Sequence, residues 1–244
     1  MKKFNIIISK LNIYTGQVKK IKNESRLPIE VMYIEDILNK NESLINCENS
    51  IIYFLCCNSI LIPLAIQKLE EYNCYIINKE YLVKNYSKLE VQKLLLKHNV
   101  NVPKIYTMDN IENAKFPIFC KENRHEGIIM QVYNKISLKR FFEKFNSNDF
   151  YLEENMANSN TIFKELKIYY VDKKLFLRDN ENNNMKLLKT CQKVSSILNN
   201  LEVFSADIIQ RYDGEYFIID INSSAGFYLL DEGRRYFLDF VSKI

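Results

Sequence analysis

Two aspartates and an asparagine near the C-terminal end of the chain have side chains of the types that bind a metal through oxygen. They are Asp207, Asp220 and Asn222. The dipeptide Asp213-Gly214 predicts a two-residue hairpin turn between two strands. In the register of that turn, Asp207 lies directly across from Asp220, and Asn222 shares their face of the sheet. Opposed carboxylates repel unless a cation lies between them, and oxygen ligands without histidine or thiolate favour Mg²⁺ or Mn²⁺. The alternative interpretation is a solvated polar face of the sheet.

The elements that must position these residues are an α/β region followed by an α+β region. An amphipathic stretch at 60–72 lies between buried-strand patterns, so we expect a parallel βαβ sheet within 1–86. Its strands are predicted at Phe4–Ile8, Glu30–Ile34, Ile51–Cys57 and Cys74–Ile77. The capping box of Ser87 and Glu90 predicts that a helix begins there. Beyond it, we predict a hairpin at 116–133, strands at 150–153 and 165–171, and a helix at 185–198.

Composition excludes several classes of function. The 244 residues are 47% hydrophobic with a net charge of +4, which predicts a globular chain that binds neither nucleic acid nor membrane. The apolar run at the N-terminus is too short for a secretory signal, so we expect a cytoplasmic protein with reduced cysteines. Two histidines leave little material for a zinc site or a catalytic triad, and five glycines form neither a P-loop nor a dinucleotide-binding motif.

Six short segments carry, in order, the motifs of one known superfamily. They are Ser87-Lys88, Asn101-Val102-Pro103, Phe116–Lys121, Tyr151–Met156, Ala206-Asp207-Ile208 and Ile219–Gly226. Together they resemble the ATP-grasp superfamily, in the branch of the glutathione synthetase-like and ribosomal-protein glutamate ligase-like enzymes. The resemblance implies a fold that joins α/β and α+β parts. A small N-terminal Rossmann-like (pre-ATP-grasp) domain covers 1–86, and an ATP-grasp domain covers 87–244, with lobes at about 87–153 and 154–244.

The resemblance also implies a role for each matching side chain. Lys88 and Lys121 contact the phosphates of ATP, and the loop 122–127 closes over them as a lid. Arg178 and Lys121 are the expected catalytic residues, with Arg178 directed at the transferred phosphoryl group. The other nucleotide-binding residues are Glu153, Glu154, Met156 and Lys167. Asp207, Asp220 and Asn222 are the implied ligands of two Mg²⁺ (or Mn²⁺) ions.

The reaction that the resemblance implies is the ATP-dependent, ADP-forming ligation of a carboxylate to an amine through an acyl phosphate. The expected partners are small-molecule or peptide substrates, and a homodimer is the candidate assembly. The chain departs from the usual motifs in having Asp220 for glutamate, Ala225 for proline and a short segment after Arg178. Two alternatives stay open: a kinase of the same fold that phosphorylates a hydroxyl, and a non-catalytic ATP-binding regulatory module.

Overall fold

In the computed structural model, the apolar runs of the first 86 residues form a parallel sheet. The structure describes residues 3–10, 15–39, 47–56, 60–124, 127–156, 162–177, 184–227 and 230–244. The elements are β1 (Phe4–Ile8), α1 (Thr15–Glu24), β2 (Ile29–Tyr33), α2 (Ile34–Asn39), β3 (Ile51–Phe54), α3 (Leu61–Leu69), β4 (Tyr75–Ile76) and α4 (Lys79–Lys84). The strand order is β2-β1-β3-β4. Strand β1 has parallel neighbours on both sides, and all five of its residues are buried, which is typical of a parallel sheet with both faces covered.

The following segment builds a second, antiparallel sheet. Its elements are α5 (Lys88–Lys97), β5 (Ile105–Tyr106), a 3₁₀ segment (Met108–Asn113), β6 (Ile118–Glu122), β7 (Ile129–Val132), α6 (Lys135–Phe142) and β8 (Phe150–Glu154). The strand order is β5-β8-β6-β7, and each neighbouring pair is antiparallel. Helix α6 covers one face of this sheet with Leu138 and Phe141, which pack in one apolar cluster with Ile118, Cys120 and Leu152. The other face is left for polar side chains.

The last segment forms a third sheet and the C-terminal helix. Its elements are β9 (Ile162–Val171), β10 (Lys174–Leu177), α7 (Met185–Ile197), β11 (Val203–Arg211), β12 (Tyr216–Asn222) and α8 (Asp231–Lys243). The strand order is β10-β9-β11-β12. Asp172 and Lys173, both at positive φ, form the tight turn between β9 and β10.

The chain divides into two compact units that interleave along the sequence. The first unit contains Met1–Tyr86, Lys167–Ala206 and Ile221–Ile244, and the second contains Ser87–Leu166 and Asp207–Asp220. The core of the first unit joins aromatic rings from all three of its segments, including Phe4, Tyr169 and Phe237. The domains and lobes expected from the sequence stay a prediction. Among the described residues, no helix is both long enough and apolar enough to cross a membrane.

Candidate active site

Helix α5 presents Lys88 and Gln92 on one face, because helical residues four positions apart lie one above the other. The predicted capping box fixes where the helix begins. The Ser87 side chain accepts a hydrogen bond from the Glu90 N–H, and the Glu90 carboxylate accepts one from the Ser87 N–H at 2.8 Å. The side-chain oxygen of Asn123 accepts from the backbone N–H that follows Lys88 at 2.9 Å. Three of the free N–H groups at this helix end are thereby satisfied, and Lys88 is held in its first turn.

Strands β6 and β8 bring Lys121 and Glu153 onto the polar face of the second sheet. In their antiparallel register, Lys121 opposes Tyr151 and Phe119 opposes Glu153, so all four side chains lie on the same face. The residues between them alternate to the opposite face and pack against α6. Strand alternation therefore separates an apolar core from a face that carries charge.

The Lys121 ammonium and the Glu153 carboxylate form a buried ion pair. Their side chains are 8% and 1% exposed, respectively, and the amide nitrogen of Gln92 donates a hydrogen bond to the same carboxylate. Burial raises the pKa of Glu153, while the charge and hydrogen bond of Lys121 and the hydrogen bond from Gln92 act in the opposite direction. Burying two charges is costly unless they are paired and hydrogen-bonded, and this cluster supplies both conditions.

A second ion pair, between Lys88 and Asp220, belongs to the same cluster. The Lys88 Nζ atom lies 3.3 Å from Oδ1 and 3.4 Å from Oδ2 of Asp220, and the two side chains are 15% and 35% exposed. The negative charge of Asp220 also acts on two buried neighbours. Burial is the largest cause of the raised pKa of Glu153 and of the Tyr151 phenol, and the charge of Asp220 raises both pKa values further. The second unit therefore brings together two ammonium groups, two carboxylates, one amide and one phenol.

The hairpin turn before Asp220 differs from the one predicted. The Arg211 N–H donates to the Glu215 carbonyl at 2.9 Å, and the Gly214 N–H donates to the Arg211 carbonyl at 2.9 Å. Gly214 has φ +79°, in the left-handed region. These features define a three-residue loop with a glycine bulge, so the two-residue turn that opposed Tyr212 to Glu215 is wrong.

This turn removes the register argument for a metal site. Continued without a further bulge, the observed pairing opposes Asp207 to Ile219 and Asp220 to Ala206. Direct opposition of the two aspartates does not follow from such a turn, because a shift of one residue moves a side chain to the other face. The metal-binding roles of Asp207, Asp220 and Asn222 stay a prediction that depends on the motif resemblance.

Two observations bear on whether these residues suit a divalent cation. The Asp220 carboxylate is paired with the Lys88 ammonium, so its negative charge already attracts a cation in this structure. In the described part of the chain, no group of three or more histidine, cysteine, aspartate or glutamate side chains could hold a metal by itself. Magnesium commonly takes only one or two carboxylates and completes its shell with water and phosphate oxygens, so the Asp220 carboxylate of this cluster fits such an ion.

The predicted lid corresponds to the loop between β6 and β7. At its base, the Glu122 N–H donates to the Ile128 carbonyl at 2.8 Å, and the Ile128 N–H donates to the Glu122 carboxylate at 2.9 Å. Gly127 is required there, because a methyl group on its Cα would lie 2.6 Å from the Cβ of Glu122. Two residues of the loop, His125 and Glu126, lie outside the described residues.

The remaining predicted site residues are distributed over both units. Glu154 ends β8, where its N–H donates to the Lys104 carbonyl at 2.8 Å, and Met156 is buried just beyond it. Lys167 in β9 and Asn222 at the end of β12 belong to the first unit. Arg178 lies outside the described residues.

The site contains two residues that the sequence analysis missed. Gln92 is 5% exposed and Tyr151 is 4% exposed, and both contribute to the charged cluster. Each could have been found from an element that was predicted correctly. Gln92 lies one helical turn after Lys88, and Tyr151 lies two residues before Glu153 on the same face of a strand.

Comparison with known proteins identifies the fold. No protein-family model and no curated protein sequence matches the chain. The solved D-alanine–D-alanine ligase of Bacillus anthracis matches with a TM-score of 0.73 at 13% identity, over 100% of this chain and 97% of that one. The ATP-grasp ligase PsnB, solved with its precursor peptide PsnA2 and AMPPNP, matches with a TM-score of 0.69 at 12% identity, over 99% of this chain and 97% of that one.

A third solved structure matches over a smaller part of its own length. N5-carboxyaminoimidazole ribonucleotide synthetase of Thermotoga maritima has a TM-score of 0.66 at 15% identity, over 100% of this chain and 76% of that one. At such identities these similarities establish the arrangement of the elements. They confirm the fold that was predicted from the ordered motifs between Ser87 and Phe227. The chain therefore has the ATP-grasp fold.

Proposed function

We propose that the protein is an ATP-dependent, ADP-forming carboxylate–amine ligase that makes an amide or peptide bond. The observation that carries this proposal is the charged cluster of the second unit, where the Lys121–Glu153 and Lys88–Asp220 pairs lie within electrostatic reach of each other. Buried, interacting charges are expensive for a fold and are concentrated at functional sites. The matched solved structures support the proposal, because they are ligases and several hold ATP, AMPPNP or ADP.

The reaction proceeds in two balanced steps. A substrate carboxylate oxygen attacks the γ-phosphorus of ATP, and the bond from that phosphorus to the β–γ bridging oxygen breaks to release ADP. The amine nitrogen then attacks the carbonyl carbon of the acyl phosphate, inorganic phosphate leaves, and the nitrogen loses a proton. Both steps require positioning and charge stabilisation, and neither requires a nucleophile from the protein.

The candidate site residues divide this work among them. Lys121 has three N–H donors, so it can hold the Glu153 carboxylate and bind a phosphate oxygen together. Lys88 supplies a second positive charge at the first turn of α5. The segment from Glu153 to Met156 is proposed to contact the adenine and ribose, with Lys167 as a further nucleotide contact. Arg178 is proposed to stabilise the transferred phosphoryl group.

Asp207, Asp220 and Asn222 are the proposed ligands of two Mg²⁺ ions. When bound, such ions neutralise the charge of the β- and γ-phosphates during transfer. The Lys88 ammonium pairs with Asp220, and we expect it to turn to a phosphate oxygen when Asp220 binds a metal. In this exchange a metal ion replaces the Lys88 ammonium as the positive partner of Asp220, so no carboxylate is left isolated.

Nucleotide binding and turnover are tested separately. We expect Mg-ATP to raise the melting temperature, because a ligand that binds only the folded state stabilises it. Candidate carboxylates and amines, as free amino acids and as peptides, are then screened for ADP release. Asp220→Asn should abolish Mg-dependent ADP release. Asp213→Asn, in the exposed turn of the same hairpin, should leave ADP release unchanged.

The products distinguish this reaction from its alternatives. An amide product that requires the amine supports the ligase. A stable phosphorylated product formed without any amine would identify a kinase that acts on a hydroxyl. Mg-ATP binding without ADP release from any substrate would indicate a regulatory ATP-binding module.

The substrate class and the cellular setting also belong to the proposal. PsnB was solved with a precursor peptide, and the Bacillus anthracis protein is a D-alanine–D-alanine ligase. We therefore propose peptides and amino acids as the first compounds to screen. A cytoplasmic setting agrees with the described cysteines, which are all free thiols.

A further inference from the structure

The segment that follows β12 is an irregular loop that is nevertheless buried. Asn222 ends the strand and is partly exposed, whereas residues 223–227 are all buried. Loops usually run over the surface of a protein, because their backbone N–H and C=O groups need hydrogen-bond partners that water supplies. A buried loop must obtain those partners from the protein itself.

The hydroxyl of Tyr53 in β3 supplies one of these partners. Tyr53 is 1% exposed, and its hydroxyl donates to the Ala225 carbonyl at 2.9 Å, with the Ser223 carbonyl 3.4 Å away. The side-chain nitrogen of Asn78, which is also buried, donates to the same Ser223 carbonyl at 3.3 Å. Because Tyr53 is shielded from water, loss of its hydroxyl would take this donor from the Ala225 carbonyl without a replacement. Tyr53 therefore holds the loop by its backbone.

The same loop determines which way the Asn222 side chain faces. The Ser224 N–H donates to Asn222 Oδ1 at 2.9 Å, and the Ser224 hydroxyl donates to the Cys56 carbonyl at 2.8 Å. An N–H group needs an acceptor, so the Asn222 amide must present its oxygen, and not its nitrogen, to Ser224. That oxygen has two lone pairs, and the hydrogen bond from Ser224 uses one of them. The second suits a cation such as Mg²⁺, which prefers oxygen ligands.

We infer that Tyr53 is a positioning residue for the metal-binding role of Asn222, and that it acts through the Ala225 carbonyl. The inference rests on the proposed function, in which Asn222 is a ligand of Mg²⁺. Hydrogen bonds behind a metal ligand orient it before the ion arrives, and their loss typically weakens metal binding by about 10–100-fold. The inference adds a residue of the first parallel sheet, outside the motif segments, to the proposed site.

The test measures how much Mg²⁺ the protein needs in order to bind ATP. Tyr53→Phe removes the hydroxyl and keeps the ring that packs on Phe237. Calorimetry with the whole chain gives the dissociation constant of ATP over a series of Mg²⁺ concentrations. We expect the Mg²⁺ concentration for half-maximal ATP affinity to rise about tenfold, while ATP affinity without Mg²⁺ stays unchanged. Ile21→Val removes one methylene from the same apolar core, so it controls for lost stability and should leave the Mg²⁺ requirement unchanged.

A double-mutant cycle tests whether Tyr53 acts through Asn222. Asn222→Ala should itself raise the Mg²⁺ requirement, and addition of Tyr53→Phe should then have no further effect. An unchanged requirement in Tyr53→Phe, or an effect that adds fully to that of Asn222→Ala, would overturn the inference and leave the proposed role of Asn222 intact. No effect of Asn222→Ala, or wild-type protein whose ATP affinity does not depend on Mg²⁺, would overturn both.

A second measurement uses the wild-type protein, so it does not depend on whether a variant folds. If the loop is positioned before the metal binds, the Ser224 N–H is already hydrogen-bonded in the metal-free protein. Its hydrogen exchange, followed by NMR, should then be at least about tenfold slower than in an unstructured chain. Exchange at the rate of an unstructured chain, slowed only after addition of Mg-ATP, would refute the positioning role of Tyr53.

Discussion

The buried pair of Lys121 and Glu153 makes the strongest energetic prediction. Glu153→Gln removes the negative charge but keeps the size of the side chain and an acceptor for Lys121. At 8% exposure, the Lys121 ammonium gains little compensation from water. Removal of one partner from a buried ion pair costs about 3–5 kcal/mol, and the retained acceptor puts our expectation near the lower figure, at about 3 kcal/mol. That is a large part of the free energy of unfolding of a typical domain, about 5–15 kcal/mol.

A double-mutant cycle measures the interaction directly. Urea unfolding is followed by far-ultraviolet circular dichroism, since the chain has no tryptophan. We expect Lys121→Met with Glu153→Gln to cost at least about 2 kcal/mol less than the sum of the two single changes. Additive costs, each below about 1 kcal/mol, would refute the interpretation of this pair as a buried electrostatic unit.

The pH dependence supplies an independent check on the same pair. Burial raises the pKa of Glu153 above its ordinary value of 4.5, so the folded state binds a proton at Glu153 more tightly than the unfolded state does. The corresponding stability is fully present below pH 4.5 and is lost as pH rises through the folded pKa. In Lys121→Met the carboxylate loses its cation, so we expect the cost of this variant to be larger at pH 8 than at pH 5. A cost independent of pH would contradict this assignment.

Three further predictions concern local structure. Ser87→Ala should cost about 1 kcal/mol at pH 7. The Ser87 N–H and hydroxyl lower the pKa of Glu90 below 4.5, so the cost of Ser87→Ala should shrink as pH falls through the folded pKa. The cost is measured by urea unfolding at pH 7 and pH 3. An equal cost at both pH values would exclude this cap. Gly214→Ala should destabilise by about 1 kcal/mol because Gly214 has a positive φ. Gly16→Ala in α1, with open space around it, should be neutral or stabilising by up to about 1 kcal/mol. Melting temperatures that shift in the same direction for both variants would refute this contrast. Burial raises the pKa of the Cys120 thiol to about 12, so iodoacetamide at pH 8 should modify Cys120 only after unfolding. Labelling is followed by mass spectrometry. Rapid labelling of the native protein would refute the burial of Cys120.

The sequence predicted those parts of the fold whose signals are local. Helix α5 begins at Lys88 because Ser87 and Glu90 satisfy each other's backbone groups, and that reciprocal pattern is visible three residues apart. The buried strand at Phe4–Ile8 was equally clear from its apolar run. Motif order then predicted the ATP-grasp fold, which the solved structures confirm although they share only 12–15% of residues with this chain.

Features that depend on a single backbone angle or on distant neighbours were not predictable in this way. Asp213-Gly214 suits both a two-residue and a three-residue turn, and the left-handed φ of Gly214 decides between them. Gln92 has the residue type of a solvated helix surface, and its buried hydrogen bond to Glu153 joins it to a strand 61 residues further along the chain. The error in register and the missed amide therefore have the same origin, since local patterns do not specify tertiary neighbours.

The interleaved core of the first unit has a consequence for how the chain folds during synthesis. Phe4 and Tyr53 pack with Phe237 of α8, at ring-centroid distances of 6.0 and 4.9 Å. A ribosome synthesises Phe4 and Tyr53 long before Phe237, so the N-terminal strands cannot form these contacts until α8 has been made. Contacts of such sequence separation slow folding, because a long loop must close before they form. Newly made N-terminal segments will expose apolar surface until α8 emerges, which makes this interval the period of greatest risk of aggregation.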